Sequence, residues 1–454
     1  MCKNYHFIAV GGIGMSGLAK YLLEQGATVS GSDISDSKYV NKLREMGADI
    51  HIGHKEDNLP SDSIVVVSTA IKENNPELIK AKREGMLIYH RSDLLEKLSH
   101  VKGNFIGYSG THGKTTTSGL ASFLLSKAGL KPSFVVGGIV PSLDTNAEYA
   151  SEDFFIAELD ESDGTIVKYS PDVLVINNLE ADHLDFYKNG LSSLLSTFKG
   201  YLEKLSSTKF VINIDDDGVK ALDLTDYVSY GIDNDADFMA KNIRTENGLT
   251  VFDLFKSGEF VTAIKMQFPG KHNIYNVLAV VASLDASNVD ILSITPYVSD
   301  FTGMGRRLQK VLEFDGVTVY DDYAHHPTEI KATLTALKYA NPDKNLIAVF
   351  QPHRYTRFKA FWDEFKASFS SADSVVVTDV YSASEDEIEG INSVEFVKGM
   401  DNAKHYQGNM LSVAEKLLPT LKSGDIVVGL GAGTITALGK ELQKVKEEKL
   451  WLAK

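Results

Sequence analysis

One segment of the chain combines glycine, lysine and hydroxyl residues in a pattern typical of a loop that binds nucleotide phosphates. It reads Gly-Thr-His-Gly-Lys-Thr-Thr-Thr over 110–117 and follows the strand-like run 105–108. In such a loop main-chain N–H groups cradle the phosphates, Lys114 neutralises the terminal phosphate, and the Thr115 hydroxyl binds Mg²⁺. The strict spacing Gly-x₄-Gly-Lys is not met, because Tyr108 occupies the first glycine position. We predict ATP or GTP binding; the alternative is a helix N-terminus that holds no ligand.

Two acidic segments follow the predicted phosphate loop, each at the end of a strand-like run. The first, 157–163, contains Glu158, and the second, 177–185, contains His183 among further carboxylates. Ligands of open α/β sheets bind at the carboxyl ends of strands, and carboxylate oxygens suit Mg²⁺. We therefore predict metal or phosphate chemistry here; the alternative is that these residues are helix caps or solvated loop residues.

A glycine-rich turn near the N-terminus indicates a second nucleotide site. Gly12, Gly14 and Gly17 are spaced as Gly-x-Gly-x-x-Gly after the strand-like run 7–10, and Asp33 ends the next run. Glycines allow a tight turn and close approach of a diphosphate to a helix N-terminus, while the acid can bind a ribose. NAD is the simplest ligand for this pattern, although the motif does not identify the nucleotide. The alternative is a turn that only packs a helix on a strand.

The last third of the chain carries arginines and histidines that could bind an anion. Arg354 and Arg357 follow the strand-like run 346–350 and share one face of a helix or of a turn leaving the strand. Guanidinium groups there predict a carboxylate or phosphate clamp, against the alternative of two solvated side chains. We do not favour zinc at His325 and His326, because neither a thiolate nor the His-Glu-x-x-His spacing is present.

Short apolar runs that alternate with helical periodicity must position these residues. Apolar residues recur every three or four positions after Gly113, as on a helix. Another apolar helix follows Asn273, and the simplest interpretation of this residue is a helix N-cap. This alternation predicts α/β architecture with parallel sheets. Polar residues 98–103 and the Pro- and Gly-containing stretch 294–303 predict domain boundaries. The runs expected to be strands are 7–10, 64–67, 105–108, 154–158, 173–176, 210–213, 346–350, 374–378 and 425–429.

Composition and charge exclude several classes of protein. Lys and Arg number 46 and Asp and Glu 61, so the net charge of −15 argues against general affinity for nucleic acid or anionic membrane. The single cysteine, Cys2, cannot form a disulfide framework, an iron–sulfur cluster or a thiolate zinc site within one chain. No apolar run reaches the roughly 18 residues of a membrane span, and no signal-peptide pattern is present. We expect a soluble, cytoplasmic protein.

Taken in order, eight motifs over essentially the whole chain resemble the ATP-dependent Mur ligases of peptidoglycan synthesis. They are Gly-x-Gly-x-x-Gly, Gly-Thr-His-Gly-Lys-Thr-Thr-Thr, Glu-x-Asp-Glu-Ser-Asp, Glu-Ala-Asp-His-Leu-Asp, His-Asn-x-x-Asn, Arg-Arg-Leu, Asp-Asp-Tyr-Ala-His-His-Pro and Gln-Pro-His-Arg-Tyr-Thr-Arg. The shifted glycine of the phosphate loop is this family's own form. The resemblance is strongest to the branch that joins L-alanine to UDP-N-acetylmuramate through an acyl phosphate, with ATP as a substrate and two Mg²⁺ ions.

The resemblance implies three domains: a Rossmann-like domain for the UDP substrate (1–101), a central P-loop ATPase-like domain with a mainly parallel sheet (102–298) and a Rossmann-like domain for the amino acid (299–454). The residues that would bind ATP are Gly110, Thr111, His112, Gly113, Lys114, Thr115, Thr116, Asn276, Arg307 and Asp322. Those that would hold the UDP substrate, in place of NAD, are Gly12, Gly14, Met15, Ser16, Gly17, Asp33, Ser68 and Thr69. Those that would face the alanine are His325, Arg354 and Arg357. The metal ligands would be Thr115, Glu158 and His183, and the catalytic set Lys114, Glu158, His183 and Arg307.

Three other functions stay open at this level. A related ligase that attaches a whole tripeptide to UDP-N-acetylmuramate would carry similar motifs. A nicotinamide-dependent dehydrogenase would explain the first glycine-rich turn but would leave the phosphate loop and the arginine and histidine clusters without a role. A nucleotide-binding regulatory protein would explain the loops without any reaction. The substrates we expect are small molecules, with neither nucleic acid nor membrane as a partner, and the oligomeric state is not predicted.

Overall fold

The computed structural model describes residues 3–100, 103–151, 153–181, 186–246, 248–383 and 385–452. These residues form two compact units. The first contains most of the chain up to residue 301, and the second contains 302–454 with two short segments, 245–250 and 266–273. The domain boundaries placed after residues 101 and 298 stay predictions.

A five-stranded parallel sheet begins the first unit, with the strand order β3-β2-β1-β4-β5. Its strands are β1 (Asn4–Ile8), β2 (Thr28–Asp33), β3 (Asp49–Ile52), β4 (Ile64–Val67) and β5 (Ile88–His90). Its helices are α1 (Ile13–Glu24), α2 (Lys38–Glu45), α3 (Pro76–Arg83) and α4 (Arg91–Ser99), and Glu56–Asn58 is a 3₁₀ turn. The glycine-rich turn lies between β1 and α1, at the carboxyl end of the central strand, where such sheets bind ligands.

A ten-stranded sheet follows, in the order β15-β14-β13-β12-β11-β10-β6-β9-β7-β8. Its strands are β6 (Asn104–Ser109), β7 (Ser133–Val140), β8 (Thr145–Glu148), β9 (Phe154–Glu158), β10 (Val173–Ile176), β11 (Lys209–Asn213), β12 (Val228–Gly231), β13 (Phe238–Glu246), β14 (Leu249–Lys256) and β15 (Glu259–Met266). The helices of this part are α5 (Lys114–Lys127), α6 (Leu191–Leu202), α7 (Asp217–Lys220), α8 (Lys271–Ala286) and α9 (Ile291–Ile294). Its 3₁₀ turns are Pro141–Leu143, Thr165–Lys168 and Thr295–Asp300. The pairings from β7 through β9, β6, β10, β11 and β12 to β13 are parallel, and β8 is antiparallel to β7.

The second unit contains a six-stranded sheet in the order β16-β17-β21-β18-β19-β20, parallel except for the β16–β17 hairpin. Its strands are β16 (Gln309–Phe314), β17 (Val317–Asp322), β18 (Leu346–Phe350), β19 (Ser374–Thr378), β20 (Ala403–Tyr406) and β21 (Ile426–Leu430). Its helices are α10 (Pro327–Ala340), α11 (Tyr355–Ala360), α12 (Trp362–Ser368), α13 (Ser393–Val397), α14 (Met410–Leu417) and α15 (Leu438–Leu452), with 3₁₀ turns at Leu418–Thr420 and Thr434–Ala437.

The predicted apolar runs are strands, and most are buried on both faces, as a parallel sheet covered by helices requires. Four of the nine predicted strands differ from the structure by one to three residues at one or both ends. The first strand, predicted to reach Val10, ends at Ile8 because Ala9 has a positive φ of 62° that turns the chain. The last one, predicted over 425–429, is shifted to 426–430.

Within the first unit, helix α1 packs against the ten-stranded sheet as well as against its own five-stranded sheet. Its Tyr21 makes edge-to-face contacts with Tyr149 and Phe155, whose rings belong to the central part of the chain. The Asn146 side chain on β8 donates to the main-chain oxygen of Ile13 at 2.7 Å. The glycine-rich turn is therefore held by the central sheet as well as by its own strand.

Gly17 is the glycine that permits this packing. A Cβ atom added there would lie 2.7 Å from Asn146 Nδ2, whereas one added at Gly14 would meet nothing within 4 Å. The third glycine of the motif thus serves helix-to-sheet packing, a use that this motif commonly makes of it.

We predict that Gly17→Ala lowers the free energy of unfolding by about 1 kcal/mol, because overpacking outweighs the gain in helix propensity. The matched variant Gly14→Ala has free space and should be neutral or slightly stabilising. Urea unfolding of both variants checks this. Equal stability of the two variants would contradict the packing role of Gly17.

Candidate active site

The phosphate loop connects β6 to α5 and depends on two glycines with positive φ. Gly110 has a φ of 124° and Gly113 a φ of 85°. A Cβ at Gly110 would lie 2.9 Å from the Asn178 main-chain oxygen, and one at Gly113 would lie 2.7 Å from Asn276 Oδ1. The N–H groups of the first turn of α5 have no acceptor within the helix, as at every helix N-terminus. Together these features suit the binding of an anion at this turn.

The segment after β10 supports the loop from one side. The Asn178 main-chain oxygen accepts from Thr111 N at 2.9 Å, and its side chain both accepts from His112 N and donates to His112 O. The Thr111 hydroxyl accepts from Glu180 N at 2.9 Å. These bonds fix the loop backbone.

Lys114 folds back over the loop. Its Nζ donates to the main-chain oxygens of Gly110 at 2.7 Å and Thr111 at 3.3 Å, and to Glu161 Oε1 at 2.9 Å. Burial opposes its charge, but the carboxylates of Glu161, Asp160 and Glu158 outweigh this and raise its pKa above the ordinary value. Lys114 therefore stays a cation at the position where the phosphates of a nucleotide are expected.

The carboxylates around Lys114 have different partners. Arg91, at the start of α4, pairs with Asp160 at 2.7 Å, and this cation together with Lys114 keeps the pKa of Asp160 well below its usual range despite burial. Glu158 accepts from the Gly137 main-chain N–H at 2.9 Å. Burial instead raises the pKa of Glu161 to about 7, because the attraction of Lys114 offsets it only in part.

Two of the three predicted metal ligands lie within the described residues. Glu158 ends β9 and is half-buried, and Thr115 lies in the first turn of α5. The Thr115 hydroxyl makes no hydrogen bond to any described residue, unlike those of Thr117 and Ser118, which bond back to helix carbonyls. A carboxylate and a hydroxyl oxygen that is still available suit a hard cation such as Mg²⁺. His183 lies outside the described residues.

Other predicted ATP residues lie nearby in the first unit. Asn276 is buried on α8, with its side-chain oxygen next to Gly113. Thr116 is buried in the first turn of α5. Thus the structure brings Asn276, a residue distant in sequence, to the phosphate loop.

The residues predicted to hold the UDP substrate surround the carboxyl ends of β1, β2 and β4. Asp33 accepts from Gly11 N at 2.8 Å and from Ser35 N at 3.1 Å, so it shapes the turn that the motif forms. Ser68 is half-buried and Thr69 exposed just after β4. Gly12 is exposed at the start of α1, whereas Met15 and Ser16 are buried.

In the second unit, Arg307 and Asp322 take part in a polar cluster at the end of β17. Arg307 donates to Glu329 at 3.2 Å. Asp322 accepts from the main-chain N–H groups of Leu308 at 2.8 Å and Ala324 at 2.7 Å. Burial raises the pKa of Asp322 to about 6, against the attraction of Arg307.

The predicted alanine-facing residues gather at the carboxyl end of β18. The His325 and His353 rings lie 5.9 Å apart between centroids, and Arg357 lies beside His353, with Nη1 and Nδ1 3.5 Å apart. Arg354 precedes helix α11 with a strained φ of 67°, held by a bond from its N–H to Tyr381 O. The two arginines thus share a turn leaving the strand rather than one helix face.

Several residues with a part in these clusters were not among the predicted site residues. Glu161 holds Lys114, and Tyr381 stacks on His353 at 5.5 Å. The Gln351 side chain bonds to Thr434 and Ile435 in the loop after β21. That loop reads Gly-Ala-Gly-Thr after an apolar run. The two glycines at a strand end are the sequence feature by which this loop could have been predicted.

Comparison with known proteins places these features in one family. Three family models match in chain order: "Mur ligase family, catalytic domain" over residues 4–102, "Mur ligase middle domain" over 109–284 and "Mur ligase, glutamate ligase domain" over 306–433. The chain belongs to the Mur ligase family. This confirms the predicted three-domain α/β fold with its mainly parallel central sheet.

Individual Mur ligases match along nearly the whole chain. The UDP-N-acetylmuramate–L-alanine ligase of Desulfotalea psychrophila is 39% identical over 448 residues, which are 97% of each chain. The solved UDP-N-acetylmuramate–alanine ligase of Thermotoga maritima is 27% identical with a TM-score of 0.84, covering 99% of this chain and 100% of its own. A murein peptide ligase of Psychrobacter arcticus, 21% identical with a TM-score of 0.73 over 97% of this chain and 98% of its own, shares the fold.

Among the helices of the described part of the chain, none is both long and apolar enough to cross a membrane.

We predict that acid destabilises the wild type more than a His353→Gln variant. Burial and the neighbouring His325, Arg357 and Arg354 lower the pKa of His353 to about 3. The unfolded chain takes up this proton near pH 6.5, so the stability that the neutral ring provides is lost as the pH falls below that value. Between pH 7.5 and pH 5.0 the difference in unfolding free energy between the two proteins should shift by about 2 kcal/mol in favour of the Gln variant, because each pH unit below 6.5 costs the wild type about 1.4 kcal/mol. Urea unfolding at both pH values measures it, and an unchanged difference would contradict the burial of a neutral ring.

Proposed function

We propose that this chain is a UDP-N-acetylmuramate–L-alanine ligase that uses its phosphate loop, Lys114 and a carboxyl-terminal arginine pair to drive amide formation with ATP. The observation that carries the proposal is the 39% identity over nearly the full length to ligases of that name. The buried, cationic Lys114 on a phosphate loop supports the ATP dependence.

The reaction needs activation because a carboxylate is a poor electrophile. A carboxylate oxygen of the muramyl group attacks the γ-phosphorus of ATP, and the bond to the β–γ bridging oxygen breaks to release ADP. The amine nitrogen of alanine then attacks the carbonyl carbon of the acyl phosphate. The tetrahedral intermediate expels inorganic phosphate, and the amine loses its proton. The enzyme positions the groups and offsets charge at the phosphoryl centre.

We assign the following roles to residues of the first unit by their positions in the family motifs. Main-chain N–H groups of the loop around Gly113 would bind phosphate oxygens, and Lys114 would contact the β- and γ-phosphates. Asn276, next to Gly113, would contact the adenine. Gly12, Gly14 and the turn shaped by Asp33 would hold the UDP part, with Ser68 and Thr69 beside it.

Magnesium fits the oxygen ligands at the phosphate loop. Thr115 and Glu158 would hold one ion, and His183 would hold a second. The ions would supply positive charge next to the phosphates, which weakens repulsion between the two anionic reactants.

The residues of the second unit would bind the amino acid that supplies the acceptor amine. Arg354 and Arg357 would pair with the alanine carboxylate, and His325 would lie beside the amino acid. Guanidinium groups bind a carboxylate in a fixed fork, and their positive field disfavours protonation of a nearby amine, which must be neutral to attack. Arg307 and Asp322 would contact the phosphates or the ribose of ATP.

An ADP-release assay with UDP-N-acetylmuramate and single amino acids tests the proposed function. We expect ADP release with L-alanine that depends on the presence of both substrates, and no release by a Lys114→Ala variant, which lacks the cation of the loop. A murein tripeptide serves as the alternative acceptor. Release with the tripeptide but not with alanine would favour a recycling ligase, and binding of NADH in place of the UDP substrate would favour a dehydrogenase.

We predict that Arg357→Ala raises the KM for alanine at least about tenfold, the loss expected for one charged hydrogen bond, while the KM for ATP changes much less. Lys359→Ala, an exposed cation on the same helix α11, is the matched control and should leave both constants unchanged. Alaninamide lacks the carboxylate and should be a poor acceptor for the wild type. If alaninamide serves as well as alanine, the carboxylate clamp is wrong.

A further inference from the structure

Glu161 is a buried acid that the proposed reaction does not use. It follows β9, is fully buried, and its Oε1 accepts from Lys114 Nζ at 2.9 Å. Its main-chain oxygen accepts from the hydroxyl of Tyr187 at 2.6 Å and from Gly164 N at 3.0 Å. These bonds fix the backbone of Glu161 next to the phosphate loop.

The neighbouring carboxylates interact mainly with other groups. Asp160 forms its ion pair with Arg91, and Glu158 accepts from the main chain of Gly137. Both attract Lys114 from further away, but among the carboxylates of the described residues Glu161 is the one within hydrogen-bond distance of its ammonium group. The lysine that should bind phosphate is therefore already paired with a buried anion.

We propose that Glu161 is a positioning residue that competes with nucleotide phosphate for Lys114 and thereby weakens the binding of ADP. The inference rests on the proposed ATP site. When Lys114 turns to a phosphate, the Glu161 carboxylate loses part of its compensation in a fully buried place, which costs free energy. Burial already raises the pKa of Glu161 to about 7 with Lys114 in place, consistent with an anion that is only just stabilised.

The competition bears most on the product. Binding of either nucleotide disturbs the same ion pair, but ATP offers Lys114 the γ-phosphate in addition to the β-phosphate. ADP offers Lys114 fewer phosphate oxygens, although its binding disturbs the same ion pair between Lys114 and Glu161. Glu161 therefore favours release of ADP and the return of Lys114 to its resting position.

Calorimetric titration of the full-length protein with ADP tests this inference. At pH 8, Glu161→Gln keeps the shape of the side chain and removes its charge, so we expect ADP to bind at least about fivefold more tightly. The effect should appear both with Mg²⁺ and with EDTA, because Glu161 acts through Lys114. A variant that merely damaged the fold would bind ADP more weakly, so the sign of the change separates the two causes.

Two further variants complete the test. Glu203→Gln, which neutralises an exposed acid at the end of α6 in the same unit, should leave ADP affinity unchanged. Glu161→Asp keeps the charge but withdraws it by one methylene group, so ADP should bind about twofold more tightly, and this variant carries the test if the Gln variant does not fold.

The outcomes separate this inference from the proposed function. ADP affinity that is unchanged or weaker in folded Glu161→Gln or Glu161→Asp overturns the competition and leaves the ligase assignment intact. Tightening that occurs with Mg²⁺ but disappears in EDTA also overturns it, since the charge would then act on the metal. A wild type that does not bind ADP at all overturns the proposed ATP site, and this inference with it.

Discussion

The positive charge of Lys114, buried at the N-terminus of α5, is the constraint on which the arrangement of the first unit depends. A buried ammonium group is stable only with nearby anions, and the segment after β9 supplies them as Asp160 and Glu161. Those carboxylates in turn need compensation, which Arg91 at the start of α4 provides for Asp160. One charge at the phosphate loop is thus linked to residues from the start of α4 and from the segment after β9.

Close approach of backbone to side chain is the second requirement of the first unit. Gly110 and Gly113 let Asn178 and Asn276 come near the phosphate loop, and Gly17 lets α1 pack against Asn146 on β8. At each of these three glycines, an added Cβ atom would come too close to the asparagine that lies against it. The two glycine-rich turns are therefore supported by residues distant from them in sequence.

In the second unit, a histidine lies among cationic side chains. Arg354, Arg357 and His325 lie near His353 at the end of β18. Burial, together with the repulsion that these neighbours exert on a protonated ring, lowers the pKa of His353 and keeps it neutral. The neutral ring can then stack on Tyr381, whose main chain holds the strained backbone of Arg354.

The sequence by itself determined nine of the strands to within one to three residues, the two glycine-rich turns and the family, because these depend on local patterns: apolar runs, glycines at strand ends and motifs in order. Only the tertiary structure decided which side chains meet. No spacing in the sequence shows that Glu161 rather than Asp160 bonds to Lys114, or that Gly17 packs on Asn146. Likewise, Arg354 lies outside helix α11 because a bond to Tyr381, 27 positions further along the chain, holds its backbone. Such contacts depend on how separate strands are ordered in a sheet, and residue spacing along the chain does not encode that order.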